Sequence, residues 1–229
     1  MAFSRVPGEV PALQHGSVSK SEWHRTIAAD DTFPKTSRRR HEPHHPCSFR
    51  LQPFAALRIS AETVSVPPFK SVELRGGGHV TLRHGDRQRV TIIKGSTQFT
   101  TFHIEPDRKL IIDACNESCP HRYDLAIEIV TPNIDGVAVS GGGYIVAAGG
   151  FGSPARMSAA VSGGGEVDVR AINASSVNAG VSGGGEVKIR AENSLTAGVD
   201  GGGSIIYWGH PSVTKAVNGG GSVEQGSGG

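Results

Sequence analysis

Glu166 and Glu186 each follow directly on a run of three glycines, and Asp168 and Lys188 stand two residues further along. If the two glycine runs lie side by side, the glutamates come about one strand spacing, ~4.8 Å, apart. Like charges at that separation raise the pKa of one carboxyl, and a carboxylate pair is the equipment of a glycoside hydrolase. Lys188, Arg170 and Arg190 share the stretch and can neutralise Glu166, Asp168 and Glu186, and no histidine joins them. The residues therefore favour a solvated surface ladder of Tyr144, Glu166, Glu186, Asp168, Lys188, Arg170 and Arg190, with no catalytic residue, no cofactor and no metal.

Cys115 and Cys119 are four residues apart, a spacing that could close a short disulfide loop in an oxidising compartment. Free buried thiols are the alternative, and so is half of a zinc site, for which the other half is missing. His84, His121 and His210 stand alone and read as turn or surface residues. The glycine triplets carry no following Gly-Lys-Ser/Thr and open no helix, so a phosphate cradle is set aside in favour of structural corners at Gly141, Gly163, Gly183, Gly201 and Gly219.

The elements that must position these side chains come from a repeat. Triple glycines begin at Gly76, Gly141, Gly163, Gly183, Gly201 and Gly219, at intervals of 65, 22, 20, 18 and 18 residues. Leu74, Val139, Val161, Val181, Val199 and Val217 precede the triplets by two residues. Val80, Ile145, Val167, Val187, Ile205 and Val223 follow them by two. Apolar and polar residues alternate within each unit, which means strand, and glycine this dense would break any helix. A unit of 18 residues cannot bury its apolar face alone and must stack on its neighbours. The expected fold is all-β, a parallel β-helix (solenoid), with an antiparallel sandwich or barrel as the alternative. Stacking predicts one column of Tyr144, Glu166, Glu186, Ser204 and Ser222. A second holds Val146, Asp168, Lys188, Ile206 and Glu224, and a third sets Arg170 near Arg190 and then Trp208.

Composition bounds the rest. Glycine supplies 32 of 229 residues, about twice the usual ~7%. The longest apolar runs are about five residues, as at Tyr144–Ala148, so no membrane-spanning helix is expected. The first 50 residues hold eight Lys and Arg against five Asp and Glu, whereas the other 179 hold 15 against 16. The basic balance belongs to the leader and not to the glycine-rich body, which argues against nucleic acid as a partner. Residues 1–57 read as a low-complexity, disordered leader with no recognisable signal peptide, because no apolar stretch of about 7–15 residues follows a basic start. Residues 58–225 read as one domain, with a strand-rich amino-terminal cap and first coils over 58–138 and regular coils over 139–225. Residues 226–229 read as a flexible tail.

Pro68-Phe69-Lys70-Ser71-Val72-Glu73-Leu74 leading into a glycine turn, then Val80-Thr81-Leu82, resembles the opening of the bacterial head-GIN domain family, described as a putative auto-transporter adhesin. Tyr123-Asp-Leu-Ala-Ile-Glu-Ile-Val-Thr-Pro132, the repeated Val-Ser-Gly-Gly-Gly, and Ile206-Tyr-Trp-Gly-His-Pro-Ser-Val-Thr-Lys215 followed by Val217-Asn-Gly-Gly-Gly221 are similar to it as well. The resemblance covers about residues 60–225. It implies a right-handed β-helix and a periplasmic, cell-surface or secreted location in bacteria, and it brings no catalytic residues. The expected function is a non-catalytic envelope or secreted binding module for a glycan or an envelope protein. A polysaccharide lyase or hydrolase on the same scaffold, or a structural scaffold without a specific ligand, is the alternative. The sequence does not define an oligomeric state.

Overall fold

A computed structural model describes residues 61–228. The expectation for residues 1–57 lies outside the described residues. Among the described residues, fifteen strands form one sheet: β1 (Glu62–Val64), β2 (Ser71–Gly76), β3 (His79–His84), β4 (Arg89–Lys94), β5 (Thr101–Ile104), β6 (Lys109–Asp113), β7 (Ala126–Thr131), β8 (Gly136–Gly141), β9 (Tyr144–Ala147), β10 (Arg156–Gly163), β11 (Glu166–Gly183), β12 (Glu186–Gly201), β13 (Ser204–Trp208), β14 (Ser212–Asn218) and β15 (Ser222–Gln225). Eleven of the fourteen strand pairings are parallel, which excludes an antiparallel sandwich.

The parallel pairings make two ladders. Strands ahead of the glycine triplets stack in the order β6, β2, β8, β10, β11, β12, β14. Strands behind them stack as β7, β3, β9, β11, β12, β13, β15. The long strands β11 and β12 enter the second ladder with their first residues and the first ladder with their last. The sheet thus curls around a single apolar core to which both ladders contribute.

The alternation read from the sequence is the alternation of burial. In β12, Val187 and Ile189 point inward while Glu186 and Lys188 do not. Leu74, Val139, Val161, Val181, Val199 and Val217 are successive partners in one file. The first five are at most 3% exposed; Val217 is in register with them but 40% exposed. Its strand is the last of its ladder, and among the described residues nothing lies beyond it.

The odd interval of 65 residues has a structural cause. After β3 the chain builds β4 to β7, stacking β6 on β2 and β7 on β3, and only then lays β8 against the other edge of β2. Gly76 and Gly141 become partners, as do Leu74 and Val139. The layer made by β6 and β7 sits on the other side of β2 and β3, so spatial order differs from sequence order here. Antiparallel strands finish this end, β5 on β6 and β4 on β7 with β1 beyond it. β5, Thr-Phe-His-Ile, is a strand that the sequence pattern did not show. At the far end, the Gly226 N–H donates to the Tyr207 carbonyl at 2.9 Å.

Candidate functional site

The outward residues of the second ladder make the charged face. Tyr144, Glu166, Glu186, Ser204 and Ser222 are partners in a single column. Val146, Asp168, Lys188, Ile206 and Glu224 form the column beside it. The first column runs two layers beyond Tyr144, because His79 pairs with Tyr144, their rings 4.8 Å apart, and Ala126 pairs with His79. His79 follows the first glycine triplet as Tyr144 follows the second; that shared offset was the available signal.

The acids on this face are matched one by one. The Lys188 ammonium lies between the two glutamates, 2.7 Å from Glu166 Oε1 and 2.5 Å from Glu186 Oε2. Burial alone would push the Lys188 pKa down, but hydrogen bonds to Glu166 and Glu186 carry it above the usual lysine value. Asp168 is the most enclosed acid, 8% exposed. Burial pushes its carboxyl up, and the bonds from Arg170 outweigh that and hold it below the ordinary aspartate value. Arg170 Nη2 donates to Oδ2 at 2.7 Å, Nε donates to both carboxylate oxygens, and the Arg170 N–H donates to Oδ1 at 3.2 Å. Such a forked pair fixes geometry as well as charge. Tyr144 is raised, first by burial and then by the charges of Glu166 and Asp168.

The third column departs from expectation. Arg190 faces Asn173 and not Arg170, because the β11–β12 register shifts between Asp168 and Asn173 and again before Ser176. The shift absorbs the two residues by which the interval from Gly163 to Gly183 exceeds the next. Arg190 and Trp208 are partners as expected. Arg170 reaches past Arg190, and its guanidinium carbon stands 4.7 Å from the centre of the Trp208 ring. A hollow of about 340 Å³ opens at this corner, lined by Asp168, Arg170, Arg190 and Trp208 over Val146 and Ala147.

The glycine corners hold these columns in register. The first glycine of each triplet has φ between +103° and +127° at Gly141, Gly163, Gly183, Gly201 and Gly219, a conformation that glycine adopts without a Cβ clash. The second glycine of each has open space around it. Away from the face, Cys115 and Cys119 are joined by a disulfide, with Cα atoms 5.5 Å apart. A second ionic group lies on β2 and β6. Glu73 takes Arg75 at 2.7 Å and Lys109 at 3.2 Å, and Lys109 also meets Glu105 at 3.0 Å. The sequence reading missed it, because Glu73 and Lys109 come together only through the β2–β6 pairing. Among the described residues no group of three His, Cys, Asp or Glu side chains could hold a metal ion, and no helix is long and apolar enough to cross a membrane.

Residues 148–211 match the family model described as "Putative auto-transporter adhesin, head GIN domain", which bears out the resemblance read from the sequence. The chain is similar to solved structures from three bacteria. A putative adhesin from Bacteroides fragilis is 16% identical with a TM-score of 0.47, the similarity covering 74% of this chain and 98% of that one. A putative cell adhesion protein from Clostridium sporogenes is 12% identical with a TM-score of 0.37, covering 72% and 98%. A putative adhesin from Parabacteroides merdae is 14% identical with a TM-score of 0.33, covering 73% and 96%. Among curated proteins the chain has no match.

Proposed function

We propose, with the head GIN match as premise, that this chain is a non-catalytic, adhesin-like binding module of the bacterial cell envelope or of the secreted fraction. In this reading residues 58–225 are one right-handed parallel β-helix, and the face built on Tyr144, Glu166, Glu186, Asp168, Lys188, Arg170 and Arg190 meets a glycan or an envelope protein. The observation that supports it most is the pairing of acids on that face. Lys188 bridges Glu166 and Glu186, and Arg170 clasps Asp168. Hydrolysis of a glycosidic bond needs one carboxyl held protonated near neutral pH and another free to act on the sugar. Here the most enclosed acid is held in its charged form, and both glutamates share one cation. What remains is a rigid, patterned and nearly neutral surface, which suits recognition.

The test is direct. The purified chain is applied to a glycan array and to solubilised envelope proteins, beside a Lys188→Glu variant that reverses the centre of the face. Binding that the variant loses supports the proposal. Release of saccharide fragments from a mixed polysaccharide substrate would turn the reading to a hydrolase or lyase. Two empty binding assays would leave a scaffold without a specific ligand. Fractionation of cells with sequencing of the mature amino terminus tests the location.

A further inference from the structure

The far end of the stack poses a problem that one residue answers. β14 hydrogen-bonds to β12 on one side, and β15 to β13 on one side, and among the described residues neither has a second partner. Their outer edges therefore carry unpaired N–H and C=O groups, a template for adding another strand. The apolar interior also opens at this point, since Val213 and Val217 are 36% and 40% exposed. The opposite end has no such opening, because β1 and β5 finish it with antiparallel strands.

The inward file at the centre of β14 breaks its own pattern. Ala159, Ala179 and Ala197 are successive partners, buried to 7% exposure or less, and the next member is Lys215. A lysine thus stands where the three layers before it have alanine, and where the earlier layers have Val137, Val72 and Leu110. Its side chain crosses the end of the core, and Nζ donates to the Val223 carbonyl on β15 at 3.3 Å. The four-carbon stem covers apolar surface while the ammonium stays wet.

We propose that Lys215 is an edge guard that prevents a second copy of this chain from adding to the β14–β15 end. Two copies meeting edge to edge by a two-fold axis in antiparallel register centred on Lys215 would set Val213 against Val217 and bury four exposed valines. The same register sets Lys215 against Lys215 inside the seam. Two like charges taken out of water together, with no acid in the file, oppose that contact strongly. An inward-pointing charge on an edge strand is a recognised device against edge pairing.

The test is the molar mass of the full chain by light scattering over a rising concentration series, with far-UV circular dichroism to follow the fold. The wild type and Lys215→Arg are expected to remain monomeric. Lys215→Ala, which continues the alanine file, and Lys215→Met, which keeps the stem and removes the charge, are expected to double in mass as concentration rises. Adding Val217→Lys to Lys215→Ala should restore the monomer. Folded Lys215→Ala and Lys215→Met chains that stay monomeric wherever the wild type does would overturn the proposal. So would a wild type that already dimerises and is separated by Val217→Lys. Loss of fold in both neutral variants while Lys215→Arg folds would also overturn it, since the ammonium would then be holding the coil and not guarding it.

Discussion

The α-carbon of Gly163 faces the carbonyl of Gly141, and a methyl group on it would stand 2.7 Å from that oxygen. The same contact recurs one layer on, where Gly183 faces the carbonyl of Gly163 at 2.7 Å. Both residues also hold positive φ. Gly163→Ala and Gly183→Ala are therefore expected to destabilise the chain by about 2 kcal/mol or more, since strain at positive φ adds to a backbone clash. Gly164→Ala and Gly184→Ala, whose Cβ would meet nothing, should stay within about 0.5 kcal/mol of the wild type. Urea midpoints of the four variants check this, and equal losses at first and second positions would refute the corner reading.

Asp168 makes stability depend on acid. Its pKa in the folded chain lies below the unfolded value of about 3.9, so its contribution is present above that value and is lost as pH falls through the folded one. Arg170→Gln removes the guanidinium and leaves burial as the leading influence, which raises the carboxyl instead. The gap in stability between wild type and Arg170→Gln should thus be largest near neutral pH and shrink below about pH 4. Chemical denaturation at pH 7 and pH 3 measures the gap; a gap unchanged between them would contradict the assignment.

Trp208 is fixed from two sides, by the Arg170 guanidinium and by Gly226, where an added Cβ would strike the indole. In a Trp23→Phe background, which leaves Trp208 as the sole indole, Arg170→Gln should increase quenching of fluorescence by acrylamide. The cation–π share of the loss is about 0.5–1 kcal/mol at so exposed a guanidinium. Gly226→Ala should perturb the emission without touching Arg170. Quenching that neither change affects would mean that neither group covers the ring.

The Cys115–Cys119 bridge closes a very short loop beside the stack. In the chain-entropy account a loop this short is worth at most about 2 kcal/mol. Replacing both cysteines by serine should lower the melting temperature modestly and leave the far-UV spectrum of the sheet intact. Collapse of the spectrum would show that the loop organises the adjoining end of the fold.

Much of this architecture is legible in the residues because the repeat is short and regular. Val161, Val181 and Val199 fall into a file, and Glu166 over Glu186 into a column, since apolar residues at fixed offsets from each glycine corner, and nearly equal intervals between corners, leave one way to stack them. Legibility fails where local spacing carries no position. An interval longer by two residues shows that β11 must bulge, but not that the bulge falls after Asp168 and sends Arg190 opposite Asn173. It fails again where a contact depends on a return of the chain. Glu73 meets Lys109 only after β6 has come back to β2, and no pattern around either residue announces that pairing. Exposure at Val217 follows from its place in the stack, because its own surroundings in sequence match those of the buried Val199.

The pairing of Gly76 with Gly141 sets an order of events on the ribosome. Later layers join segments some 20 residues apart, so each can zip onto its predecessor soon after it is made. β2 must wait for 65 more residues to be synthesised before β8 covers it. Until then the nascent chain carries a bare parallel edge with its apolar face half clothed, the kind of intermediate that chaperones or slow translation would shield.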